Sequence, residues 1–259
     1  MEIQKSKGIV LSSRQIGEAD YSCTIFTKEF GKRDFIFKGL QKSKKRPQIV
    51  SEPGTTANII YYFHDEKTSY IVNEYNIIKH NINIRNDLKK IYLLYFLLAL
   101  IEKTTGYNDR NNSIYELTSA GVDNISKTNF TEHLSVFFSL HLLRLQGILP
   151  DFKKCKICDK INYNGFFIDT ADFHPVCGRC AGSVKSKTVS FNKITKEYIF
   201  QSLNKKFGSI DHSSFGSTNL LTFLFSLTLF IENYYHVEIK PKGLLLAELS
   251  EKSSCVLQL

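Results

Sequence analysis

Residues 21–37, YSCTIFTKEFGKRDFIF, decide the first half of the fold. Two runs, Tyr21–Thr27 and Arg33–Phe37, alternate with period two and are rich in Ile, Phe, Tyr and Thr, which suit a pleated, half-buried surface. Phe30-Gly31-Lys32 between them is a turn signal. Outward from this hairpin the pattern recurs at Gly8–Ser12, Thr56–Phe63 and Ser69–Ile78. Gly17-Glu-Ala-Asp20, the Lys42–Pro47 stretch and His64-Asp-Glu-Lys67 punctuate those runs. Five short strands, with longer connections after the first and third, suit a small Greek-key barrel of the OB type. An SH3-like barrel gives nearly the same pattern, and periodicity leaves the two open.

After residue 82 the apolar period becomes 3.6, the mark of helices. Asn86–Gly106 is a strongly apolar helix. A second begins near Asn129, with Glu132 in a capping-box-like position, and presents Leu134, Phe137, Phe138, His141, Leu145 and Leu149 before Pro150 ends it. Further helices are expected at Asn192–Phe207, Thr218–Tyr235 and Lys242–Glu251. The expected class is therefore α+β: an N-terminal OB-fold barrel over residues 1–80, then a mostly helical domain over 81–259. A cysteine-bearing insertion at 151–187 interrupts the helical domain.

The chain has 259 residues with 34 basic and 25 acidic side chains, a net charge of +9. That length buries a core without disulfides, and so basic a balance favours polyanionic partners. At 42% hydrophobic and 23% charged it is neither disordered nor a membrane protein. The longest apolar run, Ile91–Ile101, is far shorter than the ~20 residues of a membrane span. Leu220–Ile231 is interrupted by Thr222, Ser226 and Thr228. The first residues, MEIQKSKGIVL, lack the apolar core of a secretory signal, so a cytoplasmic location is expected.

Four of the six cysteines form the strongest motif: Cys155-x2-Cys158 and Cys177-x2-Cys180. Each pair supplies two thiolates from one tight turn, and four thiolates make the closed tetrahedral site of structural zinc. Gly165 and Gly178 are turn points, and the Phe166–Asp169 stretch suits a hairpin between the pairs. His174 is a possible substitute ligand that equally suits the surface. Cys23 alternates within a strand, as core residues do. Cys255 lies one residue too far from the end for a prenylation box.

Charge is localised. Lys28, Lys32, Arg33, Lys38, Lys42, Lys44, Lys45 and Arg46 face only Glu29 and Asp34, a net +6 between positions 28 and 46. Phe30, Phe35 and Phe37 are interleaved, and cations with aromatic platforms are what single-stranded nucleic acid requires. Phe35 and Phe37 equally suit barrel core, and a lysine-rich loop is often merely solvated. A second basic zone runs from Lys153 to Lys206, with eleven basic residues against four acidic.

No catalytic constellation is present: there is no P-loop, G-x-S-x-G, H-E-x-x-H or carboxylate cluster for magnesium. His236-Val237-Glu238 imitates part of a nucleobase-deaminase signature, but it follows both cysteine pairs and Val176 separates Pro175 from Cys177. His64-Asp65-Glu66 reads as a polar turn. No enzyme activity is expected.

In order along the chain, Gly8-Ile-Val-Leu11, Gly17-Glu-Ala-Asp20, Phe26-Thr-Lys-Glu-Phe-Gly-Lys32, Lys38-Gly39 and the basic Lys42–Arg46 loop resemble the N-terminal pattern of RecO, the bacterial recombination mediator family. Leu142-Leu-Arg-Leu-Gln-Gly-Ile-Leu-Pro-Asp151, leading into Cys155, resembles its helix-to-finger junction, and Tyr234-Tyr-His-Val-Glu-Ile-Lys-Pro-Lys242 its C-terminal segment. Leu40 stands where the family has a small residue, and Phe30 where a polar one is common. Many members have lost finger cysteines that this chain retains.

The resemblance implies an OB-fold, a helical domain carrying a zinc finger, and a non-enzymatic DNA repair role. It implies binding of single- and double-stranded DNA, strand annealing, and work with RecR to load RecA onto DNA coated by single-strand-binding protein. It also implies binding of that protein's acidic C-terminal tail. An apolar anchor with a cation beside it suits such a tail, and Arg144, after Leu142-Leu143, is the candidate, with Ile91–Ile101 offering further apolar surface. The alternative is a zinc-ribbon and OB nucleic-acid-binding factor of transcription or translation.

Overall fold

The structure is a computed structural model describing residues 2–161 and 166–250. It divides into two compact units, Met1–Lys127 and Thr128–Leu259.

In the first unit β1 (Glu2–Ile16), β2 (Asp20–Thr27), β3 (Gly31–Phe37), β4 (Thr56–Phe63) and β5 (Ser69–Lys79) close a barrel in the order β1-β2-β3-β5-β4. This is the five-stranded OB arrangement, closed by parallel pairing of β3 with β5, Asp34 opposite Ser69 and Ile36 opposite Ile71. β1 is much longer than its apolar centre suggested, because it pairs with both β4 and β2. A register shift between Val10 and Ser12 lets it bend from one partner to the other. Val10, Cys23, Ile25, Phe35, Phe37, Ile59, Tyr61 and Val72 fill the barrel. Phe35 and Phe37 are therefore core, each such ring contributing about 1.5–3 kcal/mol by burial. Leu40 and Val50 of the β3–β4 connection complete that core.

Helix α1 (Leu88–Thr104) starts at Asp87, whose carboxylate accepts from the backbone N–H groups of Lys89 and Lys90. It is buried on several faces, packing against β1 and against α2 (Asn112–Lys127). The α1–α2 connection docks on β3, where the Asn108 N–H donates to the Lys32 carbonyl at 3.0 Å. Gly31 permits this approach: at φ +72 its missing Cβ would lie 2.1 Å from the Asp109 carbonyl oxygen. Secondary structure changes near residue 80, but the compact unit runs on to Lys127 because α1 and α2 pack with the barrel.

In the second unit α3 (Thr131–Leu145), α5 (Lys193–Asn204) and α6 (Ser217–Tyr235) pack together, and α7 (Pro241–Ser250) packs on α6. β6 (Phe166–Asp169), β7 (Pro175–Cys177) and β8 (Thr188–Phe191) form a sheet in the order β7-β6-β8, and α4 (Gly178–Ala181) is a single turn. Phe173 and Phe191 each place a ring 5.4 Å from Phe223 of α6, tying the sheet to the helices. The capping box at Asn129 does not form. Phe130 is the N-cap of α3, and its N–H donates to the Thr128 hydroxyl at 3.0 Å. The helix also stops at Leu145, because Gly147 turns the chain at φ +75 before Leu149 can join. The turn at Gly165, the end of the last helix at Glu251, and Cys255 lie outside the described residues. Among the described residues no helix is long and apolar enough to cross a membrane.

Candidate metal centre and nucleic-acid interface

Cys155 and Cys158 flank a tight turn, in which the Cys155 N–H donates to the Lys160 carbonyl at 3.1 Å and the Asp159 N–H to the Cys155 carbonyl at 2.9 Å. Cys177 ends β7 and Cys180 lies in α4, so strand and helical turn present the second pair. All four sulfurs fall within 4.8 Å of one another, and Cys158 Sγ is 3.9 Å from Cys177 Sγ. Four sulfurs at about 2.3 Å from a tetrahedral ion stand ~3.8 Å apart, so this donor set fits such an ion. Burial opposes charge on Cys155, but backbone N–H groups of Cys177, Cys158 and Ile157 outweigh it and bring the thiol down to about 6. Cys177 is also lowered, its burial overcome by the Cys180 N–H, while hydrogen bonding to Cys177 and burial push Cys180 up to about 12. The site thus favours negative charge on some sulfurs before any cation arrives. His174 stands apart, its Nδ1 paired with the Asp172 carbonyl at 3.0 Å. This is the one such ligand cluster among the described residues, and neither His236 nor Glu238 belongs to one.

The eight basic residues of the first zone divide into two groups. Lys32 and Arg33 are buried, at 5% and 8% exposure, where the sequence had suggested phosphate contacts. The Lys32 ammonium donates to the carbonyls of Glu102 and Thr105, and burial lowers its pKa. Arg33 donates to Asn108 Oδ1 at 2.7 Å and to the Tyr61 hydroxyl at 2.8 Å, with its guanidinium 4.2 Å from the Phe30 ring centre. Both cations fasten the α1–α2 connection to the barrel.

The other group faces solvent. Lys28 pairs with Glu116 at 2.7 Å, Lys38 with Asp20 at 2.7 Å and Lys42 with Glu18 at 2.8 Å. Arg46 folds back to donate to the Lys38 carbonyl, which orders the loop. Lys44 and Lys45 are exposed and carry no ion pair among the described residues. The structure therefore brings Lys38, Lys42, Lys44, Lys45 and Arg46 together on one loop, and leaves Lys28 apart at the β2–β3 turn.

Arg144 lies near the end of α3. It donates to the Leu203 carbonyl at 2.8 Å, and its second nitrogen meets His141 Nδ1 at 2.9 Å. His141 Nε2 lies 2.8 Å from the Ser202 carbonyl. A carbonyl only accepts and a guanidinium only donates, so His141 is held as the neutral Nε2–H tautomer. Leu145 is exposed beside Arg144, and Lys205 and Lys206 follow Leu203 with exposed side chains. These two lysines were missed as part of this patch because they lie 61 and 62 positions away along the chain.

Comparison with known proteins agrees in both halves. The family model described as recombination protein O N terminal matches residues 1–81, and recombination protein O C terminal matches 85–242. The DNA repair protein RecO of Caldanaerobacter subterraneus subsp. tengcongensis is 26% identical over 215 residues, 83% of this chain and 85% of that one. That of Leptospira biflexa serovar Patoc is 29% identical over 224 residues, 81% of this chain and 83% of its own. That of Streptococcus pyogenes serotype M49 is 29% identical over 160 residues, 62% of each.

Proposed function

The chain belongs to the recombination protein O family, and from that premise we propose that it is a DNA repair and homologous-recombination mediator. It binds single- and double-stranded DNA, anneals complementary strands, and with RecR assists RecA loading onto DNA coated by single-strand-binding protein. It does so without catalysing a covalent step. The observation that carries the reading is the closed OB barrel with Lys38, Lys42, Lys44, Lys45 and Arg46 on a single exposed loop. Cations so placed neutralise phosphates without reading bases. Zinc is the ion proposed for Cys155, Cys158, Cys177 and Cys180, because four thiolates make a closed site for a soft tetrahedral ion. Its role is structural, since no position remains for water or substrate.

The acidic tail of single-strand-binding protein is proposed to dock at Arg144, with Lys205 and Lys206 steering it and Leu145 as part of the apolar anchor. One experiment tests the mediator reading: annealing of complementary strands, naked and coated with single-strand-binding protein. The expected result is faster annealing on both, with Arg144→Ala slowing only the coated reaction several-fold. No acceleration of either reaction would overturn the reading, and equal effects of the variant on both would move the tail site elsewhere.

A further inference from the structure

The outer face of β1–β3 carries a polar cavity of about 400 Å³, a size in the range of roughly 300–1,000 Å³ found for small-ligand pockets. Its floor is a cross-strand row in which Ser12 of β1 stands opposite Thr24 of β2, and Thr24 opposite Asp34 of β3. Its wall is Glu102 near the end of α1 and Tyr107 of the α1–α2 connection. Buried Lys32 holds the Glu102 and Thr105 carbonyls, so wall and floor are fixed to one another.

Of the hydroxyls that line the cavity, those of Ser12, Thr24 and Tyr107 are turned toward its two carboxylates, while Ser13 and Ser22 lie farther along the same strands. Ser12 Oγ donates to Glu102 Oε1 at 2.8 Å, and Thr24 Oγ1 to Asp34 Oδ1 at 2.7 Å. The Tyr107 hydroxyl lies 3.3 and 3.2 Å from the two Asp34 oxygens. What this part of the cavity has left to offer is lone pairs on two carboxylates and the hydroxyls around them. Such a surface repels phosphate and seeks hydrogen-bond donors. At the rim, however, Arg14 is exposed, and the Tyr107 ring is 54% exposed with the Lys32 ammonium 4.7 Å from its centre. Cation and ring at the rim of an acceptor-rich hollow suit a nucleotide whose phosphate stays outside while its base enters.

We propose that this cavity is a subsite for one unstacked nucleobase bearing an exocyclic amine, which donates to Asp34 and Glu102. It rests on the DNA-binding reading above and deepens it. Cytosine's N4 amine offers two N–H donors, one for each carboxylate, whereas thymine offers the single N3–H and sets its flanking O2 and O4 acceptors against carboxylate oxygens. The basic loop then supplies affinity, and the cavity supplies a base preference.

The test uses the full chain and oligo(dC) and oligo(dT) of equal length, titrated at several salt concentrations. Oligo(dC) is expected to bind about fivefold or more tightly, with equal salt slopes for the two strands because the slope counts phosphates. Asp34→Asn with Glu102→Gln should level the two affinities and leave the slopes unchanged. Glu102→Gln alone should narrow the gap, and it guards against loss of the Asp34 contacts to Thr24 and Tyr107. Equal wild-type affinities, or a preference that survives the double substitution, would overturn the proposal. So would absence of base preference together with direct binding, without DNA, of a short arginine peptide that Glu102→Gln weakens, which would make the cavity an acceptor for a protein cation. Absence of all DNA binding would overturn the parent reading, and this one with it.

Discussion

A basic side chain in a basic stretch does one of two jobs here, and burial separates them. Arg33 has no solvent to fall back on, so its loss leaves the Tyr61 hydroxyl and the Asn108 amide oxygen short of a partner. Arg33→Met is expected to destabilise the first unit by about 1–3 kcal/mol while the folded fraction binds DNA with an unchanged salt slope. Replacing Lys42, Lys44, Lys45 and Arg46 by glutamine should do the reverse. Stability should move little, binding to all sequences should weaken alike, and each lost phosphate contact should flatten the single-strand slope by about 0.7. Thermal melts and salt titrations of both variants decide it. A slope change in Arg33→Met as large as in the quadruple variant would sink the division. Nothing in residues 28–46 distinguishes Lys32 and Arg33 from their neighbours, because what buries them is the α1–α2 connection arriving at Asn108 and Thr105.

At the scale of the element, the finger is the piece most dependent on one interaction. Its strands are only three or four residues long, too short to persist on backbone pairing alone. The four sulfurs and the aromatic contacts to α6 must hold them. One zinc per chain is expected by elemental analysis. Chelation, or Cys158→Ser, should expose 151–191 to proteolysis while the barrel keeps its amide-exchange protection. A metal-free sample with the finger still fully protected would count against this. Strand and helix identities were legible along the chain wherever apolar residues recurred strongly, and most predicted spans lie within a few residues of those observed. α2 was missed although Ile114, Thr118, Val122 and Ile125 share its buried face, because polar residues dominate the rest and Gly121 interrupts it. The capping box failed for a different reason: α3 starts at Thr131, so its N-cap is Phe130, whose side chain carries no acceptor, and Glu132 falls one position short of N3.

Across the whole molecule, acid should act on one unit and spare the other. Burial is the leading cause that holds His133, His141 and His212 below the ordinary imidazole range, against the opposing pull of Glu132 on His133 and His212. In the unfolded chain the same groups take up protons near pH 6.5. A folded value below the unfolded one means that stability falls as pH drops through ~6.5 and is independent of these groups above about pH 7.5. The loss belongs to Thr128–Leu259, the unit in which His133, His141 and His212 all lie. Amide exchange between about pH 7.5 and 5.5 should show α3 and α6 losing protection before β1–β5. His212→Gln should flatten that dependence, which acid release of metal from the cysteines would not do. An equal loss in both units would refute the assignment. Composition, period and cysteine spacing by themselves determined a β module followed by helices and a four-thiolate insertion, because each is written in local, repeating residue choices. Only the tertiary structure decided which barrel closes, which cations are buried, that Lys205 and Lys206 sit near Arg144, and that Asp34 and Glu102 share a cavity. Those facts depend on residues distant in sequence meeting in space, and neither pairing register nor burial is encoded by any one segment alone.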